Sequence, residues 1–154
     1  MKKSIFILIV LTICLKITAQ KPAQSAYFEV LGPGFASFNF DTRFTKSQKG
    51  IGGRIGFGGF RIDGEGITTI PIGVNYLFGN DNKNYFELGV NTSIVTFSTE
   101  DEDGIFGSTF NTLNFGYRYQ PLKSGVTFRV AINPIFTSKT FFPFYGGLSI
   151  GYKF

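Results

Sequence analysis

Bulky apolar residues alternate with small or polar ones over most of the chain, most clearly at its end. Phe142, Phe144, Gly146, Leu148, Ile150, Tyr152 and Phe154 fall in one phase, and Pro143, Tyr145, Gly147, Ser149, Gly151 and Lys153 in the other. A period of two marks a strand whose two faces meet different surroundings. The same alternation predicts strands around Ala36 to Phe44, Arg54 to Gly58, Thr69 to Phe78, Phe86 to Ile94, Leu113 to Tyr119 and Val126 to Asn133. No segment beyond Gln20 carries the 3.6-residue apolar period of a helix.

Polar, glycine-containing stretches separate these strands: Thr45 to Gly50, Asp63 to Gly66, Gly79 to Asn84, Ser98 to Gly104, Gln120 to Gly125 and Thr137 to Thr140. The longest is expected around Ser98 to Gly107. Seven strands are clear. An eighth is expected at Ala26 to Leu31, turned into the next strand by Gly32-Pro33-Gly34, because single-chain bacterial barrels close with an even number. The alternation passes through Gly-Pro-Gly unbroken, so one long kinked strand from Ala26 to Phe44 is the other reading.

The charges decide which face is inside. Asp41, Arg43, Arg54, Glu87, Arg118, Arg129 and Lys153 all lie in the phase opposite the rings and aliphatic chains, and Glu29 joins them if Phe28 and Val30 point outward. The interior of an eight-stranded barrel is just wide enough for side chains to fill. Rings from every strand would crowd it, whereas glycines and a few long polar chains fit. The expectation is therefore an all-β, eight-stranded antiparallel transmembrane β-barrel, with rings toward lipid and a polar lumen plugged by Glu29, Asp41, Arg43, Arg54, Glu87, Arg118 and Arg129. Tyr76, Tyr117, Tyr119 and Tyr152 fall near strand ends, where an interfacial aromatic girdle would sit. A soluble, lipocalin-like exported barrel would need the same residues with inside and outside exchanged.

The N-terminal segment stands apart. Lys2 and Lys3 precede an apolar stretch from Ile5 to Leu15, and Ile17-Thr18-Ala19 ends in a small residue. The stretch is shorter than the ~20 residues of a spanning helix. It predicts a secretory signal over residues 1–19, cleaved after Ala19, with the barrel over 20–154. Cys14, the one cysteine, lies inside it, and Ile13 before it is too large for a lipoprotein signal, so the exported part has no disulfide or thiolate ligand. Lys2, Lys3 and Lys16 account for three of the fifteen basic residues. The remainder carries twelve basic against ten acidic residues, a net charge of +2, with no basic cluster for a nucleic acid.

Leu148, Ile150, Tyr152 and Phe154 resemble the terminal strand of Gram-negative outer-membrane proteins, in which alternating apolar residues ending in Phe are read by the barrel-assembly machinery. Phe28-Glu29-Val30-Leu31-Gly32, Asn39-Phe40-Asp41-Thr42-Arg43 and Gly116-Tyr117-Arg118-Tyr119 resemble small outer-membrane β-barrel proteins of Bacteroidota-type bacteria, and Thr18-Ala19-Gln20 is similar to signal ends in that group. The resemblance covers the mature chain and implies an outer-membrane location, with outer-membrane lipid, lipopolysaccharide and the assembly machinery as partners of a monomer. It lends no activity.

The chain contains no histidine, so a Ser-His-Asp arrangement and histidine metal ligands are ruled out. No carboxylate pair stands out, and neither an enzyme nor a cofactor is expected. The run Glu100-Asp101-Glu102-Asp103 is a candidate for weak cation binding, because hard cations favour clustered carboxylates. It lacks EF-hand spacing, and a solvated loop is the plainer reading. Gly50-Ile51-Gly52-Gly53 and Gly56-Phe57-Gly58-Gly59 lack the strand-then-helix setting of a nucleotide loop. A structural or interaction role follows, with a lipid or small-ligand carrier or a narrow channel as the alternative.

Overall fold

The computed structural model describes residues 22–62, 65–99, 102–137 and 140–154. The expected signal segment and Cys14 lie outside them. The segments are β1 (Gln24–Gly32), β2 (Phe35–Arg43), β3 (Gly50–Ile62), β4 (Glu65–Phe78), β5 (Asn84–Thr99), β6 (Glu102–Tyr119), β7 (Gly125–Ile132), β8 (Ile135–Phe136), β9 (Phe141–Phe142) and β10 (Gly146–Lys153). All pair antiparallel, in the order β5-β4-β3-β2-β1-β10-β7-β6, and β5 pairs with β6 to close the ring.

The ten segments make eight wall strands. β8 pairs with β6 in the register that β7 began, Ile132 facing Phe115 and Ile135 facing Thr112. Pro134 interrupts the ladder because it has no N–H to donate, although its carbonyl still accepts from the Leu113 N–H at 3.1 Å. β9 and β10 form the last wall strand, broken after Phe142 at Pro143, with a one-residue shift of register between them. Closure gives each of the eight wall strands a partner on both sides, but among the described residues β9, the stretch 59–62 of β3 and the stretch 102–110 of β6 are paired on one side only.

Ala26 to Leu31 forms its own strand within β1, and Pro33-Gly34 turns it into β2, so the single kinked strand does not occur. The connections after β2, β4 and β6 fall where polar stretches predicted them, but Glu65 and Gly66 of the expected Asp63 to Gly66 turn already belong to β4 and pair with Ile62 and Arg61 of β3. The expected loop from Ser98 to Gly104 is much shorter, because β5 and β6 run on until Thr99 faces Glu102, with a register shift between Phe97 and Thr99. The strand-favouring Thr96-Phe97 and Ile105-Phe106 carry the ladder through the polar run.

The facing is sharp. Phe38 is 72% exposed, and Ile55, Phe57, Ile72, Val74, Val90, Phe128 and Ile150 also stand outward, while Asp41, Arg43, Arg54, Glu87, Arg118, Arg129 and Lys153 are buried inside. Within β7, Phe128 is exposed, and its neighbour Thr127 is buried and donates its hydroxyl to the Tyr119 carbonyl at 2.7 Å.

The wall is uneven in height. β1, β2 and β10 have 8 to 9 residues, whereas β3 to β6 have 13 to 18. On β4 the outward row Phe78, Tyr76, Val74, Ile72 and Ile70 is apolar, and the next outward residue is the exposed Thr68. On β6 the apolar row ends at Leu113 and continues as Asn111 and Thr109. At ~3.3 Å per residue and a tilt of ~40°, the row on β4 spans roughly 20–25 Å, about the height of the apolar band of a membrane barrel. β3 to β6 rise beyond it. Tyr76, Tyr117, Tyr119 and Tyr152 are exposed at the opposite rim, beside the chain's last residue.

The turn after β4 shows how local chemistry fixes that rim. The Asp81 carboxylate accepts the Lys83 N–H at 3.0 Å and the Asn84 N–H at 2.7 Å. These bonds, Asn84's first, hold its pKa down to about 2. A depressed carboxylate pKa gives a contribution present above the unfolded value, near 3.8, and lost as pH falls through the folded one. The Asp81 side-chain carbon resonance should therefore stay constant from neutral pH to about pH 3 and titrate below it. A midpoint near 4 would show that the turn is not held by this carboxylate.

Candidate functional site in the lumen

Asp41, on β2, sits at the centre of the lumen with none of its side chain exposed. Arg43 Nη2 donates to both its oxygens, at 2.8 and 2.9 Å. Arg118 Nη2, from β6, donates to Oδ1 at 3.0 Å, and Asn75 Nδ2, from β4, to Oδ2 at 2.7 Å. Arg129 Nη1 lies 3.8 Å from Oδ2. Arg43 also donates to the Gly50 carbonyl at 2.9 Å and to Asn75 Oδ1. Glu87, on β5, supports the far side of the cluster, 3.6 Å from Arg118 Nη1 and 3.9 Å from Arg129 Nη1. The Ser25 hydroxyl accepts from Arg118 and Arg129 at 3.1 and 3.0 Å.

A second pair lies above it. Arg54, on β3, donates two bonds to Glu29, at 3.1 and 2.8 Å, and a third to Asn39 Oδ1 at 2.7 Å. The Tyr27 ring joins the two groups. The Arg129 guanidinium carbon lies 3.7 Å from its centroid and that of Arg54 5.6 Å, both within cation–π range. All seven sequence-derived lumen residues thus fall in one network. Ser25, Tyr27, Asn39 and Asn75 complete it. Each lies in the same phase as its charged strand neighbours, and that was their sequence signal.

Both ends of the lumen are shut. Toward the chain's last residue, Leu77, Tyr85 and Gln120 are buried, Gln120 Nε2 donates to the Gln48 carbonyl at 3.3 Å, and Lys153 Nζ donates to the carbonyls of Pro121 and Leu122 at 2.9 and 2.6 Å. At the other end the β1–β2 turn folds inward across the opening. The Ser93 hydroxyl donates to the Pro33 carbonyl at 2.6 Å and the Thr69 hydroxyl to that of Gly34 at 2.9 Å. Leu31 and Phe35, which flank the turn, adopt φ of 55° and 59°. This region costs a non-glycine residue of order 1–3 kcal/mol. Gly147 leaves room for the turn, since a Cβ there would lie 2.8 Å from the Leu31 carbonyl oxygen. Beside the network, between Glu29, Glu87, Asn114, Arg129, Asn133 and Ser149, a hollow of about 10 Å³ remains. That is the room of a single water.

Above the inward turn the lining changes character. Phe35, Ile67, Val95, Phe97, Phe110 and Ile135 surround an open hollow of about 320 Å³. Here the expectation of rings toward lipid and a polar lumen does not hold. Tyr27, Tyr85 and Phe110 are buried on the inner face, and Phe35 packs against Phe110 at a centroid distance of 5.6 Å. Glycine, serine and threonine on neighbouring strands leave them space, and the Tyr27 ring is occupied by cations.

The other sequence-derived residues are placed differently. Leu148, Ile150, Tyr152 and Phe154 form an exposed outward row at β10, the strand that joins β1 and closes the barrel. Of the acidic run, Glu100 and Asp101 lie outside the described residues, and Glu102 and Asp103 open β6 with only their backbone described. Among the described residues, no group of three or more acidic or thiol side chains is placed to hold a metal ion.

Neither protein-family models nor curated proteins match the chain. Two solved structures do. The N-terminal β-barrel domain of Pseudomonas aeruginosa OprF has a TM-score of 0.58 at 13% identity, over 89% of this chain and 100% of that one. The Yersinia pestis outer membrane protein Ail, solved in a phospholipid bilayer nanodisc, has a TM-score of 0.52 at 13% identity, over 88% and 99%. At that identity the likeness carries the fold: an eight-stranded antiparallel transmembrane-type barrel with a polar lumen.

Proposed function

We propose that this chain is an integral outer-membrane barrel of a Gram-negative bacterium with a structural or interaction role, no catalysis and a lumen closed to solutes. One observation carries the reading: an apolar belt surrounds the barrel while Asp41, Arg43, Arg54, Glu87, Arg118 and Arg129 are locked together inside it. Water outside would leave that belt uncovered, whereas hydrocarbon satisfies it. Outer-membrane lipid and lipopolysaccharide are then its surroundings. The row from Leu148 to Phe154 is the segment the assembly machinery would read after export by a cleaved signal, and the barrel is monomeric. The sequence resemblance favours a Bacteroidota-type source.

A shut lumen distinguishes this role from a channel. In planar-bilayer recording the purified protein should insert and give no steady conductance. A reproducible open level would overturn the closed-lumen reading. Recovery of the mature protein in the soluble fraction without detergent would overturn the membrane reading.

A further inference from the structure

We infer that the tall β3–β6 side of the barrel carries a binding cup beyond the membrane, and that the cup takes a single neutral, mainly apolar small molecule. The position of the cup rests on the membrane reading above. Its chemistry rests on the facing of the wall.

Around the membrane belt the rule is apolar outside, polar inside. Past the end of the belt the rule inverts. On β4 the inward Ile67 is apolar and the outward Thr68 polar. On β5 the inward Val95 and Phe97 flank the outward Thr96, and on β6 the inward Phe110 lies between the outward Thr109 and Asn111. On the outer surface the Thr92 hydroxyl donates to Asn111 Oδ1 at 2.8 Å. This is the facing of a sheet standing in water with an apolar inner side, built on top of a barrel standing in lipid.

The cup has a made floor. The inward β1–β2 turn is tied to Ser93 and Thr69, and it aims the Phe35 ring into the space above, 5.9 Å from Phe60 and 5.6 Å from Phe110. Phe35 reaches that position only through its left-handed backbone. Strain of this kind persists where surrounding structure enforces it, and clusters at ligand sites. Below the floor lies the ion network, so the cup is blind and nothing passes through it.

Size and lining set the ligand class. The volume of about 320 Å³ is at the lower end of small-molecule pockets. It is roughly twice a cavity that accepts benzene, which corresponds to a bicyclic aromatic or an alcohol of roughly ten carbons. Among the described residues that line it none is charged, and Ser108, in the inward phase of Phe110, offers a hydroxyl. An ion would lose its hydration without a partner. An apolar body with one hydroxyl or carbonyl would not.

The test is methyl NMR of the full mature barrel in lipid nanodiscs, titrated with 2-naphthol and, separately, naphthalene-2-sulfonate. With 2-naphthol, the methyls of Ile67, Val95 and Ile135 should shift and saturate. The outward Ile72, Val74 and Val90 should show at most a small, linear drift. The sulfonate should bind at least tenfold more weakly, and Val95→Trp, which fills the cup, should remove the saturable shifts. Shifts of equal size at both sets of methyls, no saturation or no shift would overturn the proposal. Equal binding of the sulfonate would overturn the neutral class. In the same samples a lipid spin label should broaden Ile72, Val74 and Val90. If it does not, the membrane reading fails while the cup is still judged by its own titration.

Discussion

Replacing Asp41 by alanine will destabilise the barrel more than removal of any other lumen carboxylate, by about 3–5 kcal/mol. The size follows from what is left behind. Arg43 and Arg118 donate directly to Asp41, and Arg129 lies 3.8 Å away. Deletion strands three guanidiniums in a buried space with one remaining carboxylate near two of them. Asn75 also loses an acceptor, at 2.7 Å. Glu29→Ala should cost less, because it strands Arg54 alone, and Arg54 keeps Asn39. Glu87→Gln should cost least, since its contacts are 3.6 and 3.9 Å and an amide can still accept. Urea unfolding in lipid vesicles, followed by far-ultraviolet circular dichroism because the chain has no Trp, gives the order directly. If Asp41→Ala were no worse than Glu87→Gln, the network would not be organised around Asp41.

Three carboxylates facing four guanidiniums in one lumen were legible because strand geometry converts sequence phase into facing, and a charge on the wrong face of a lipid-bound wall is expensive. What the phase does not reveal is height. Val95 and Phe97 share the phase of Asn91 and Ser93, Phe110 shares that of Thr112, and Ile67 that of Thr69. Their inward facing was available in the alternation. Reading the strands as ending near Ile94 and beginning near Leu113 left those residues out, and the inverted upper tier with them. The β1–β2 turn was hidden for a different reason. Gly-Pro-Gly announces a turn, but its inward fold depends on left-handed Leu31 and Phe35 and on space beside Gly147, none of which is a pattern along the chain. Tyr27 shares the phase of Glu29, but nothing along the chain shows that its ring face is where the guanidiniums of Arg129 and Arg54 gather.

Height can be measured on a single face of a single strand. Val74 and Thr68 both point outward from β4 and both are exposed. Val74 is the middle of the apolar row from Ile70 to Phe78, and Thr68 stands just past its end. Val74→Arg should cost about 2–4 kcal/mol in vesicle refolding, the penalty for a cation near the bilayer midplane, whereas Thr68→Arg should cost about 0–1 kcal/mol, as at an interface. The contrast separates three arrangements. A barrel in water throughout would tolerate both substitutions, because each side chain would reach solvent. A wall immersed to its full height would reject both. Only a belt that stops between Ile70 and Thr68 rejects the first and accepts the second. That outcome would also put Ile67, Val95 and Phe110 above the lipid, where inward apolar side chains have water for a neighbour unless something fills the space between them.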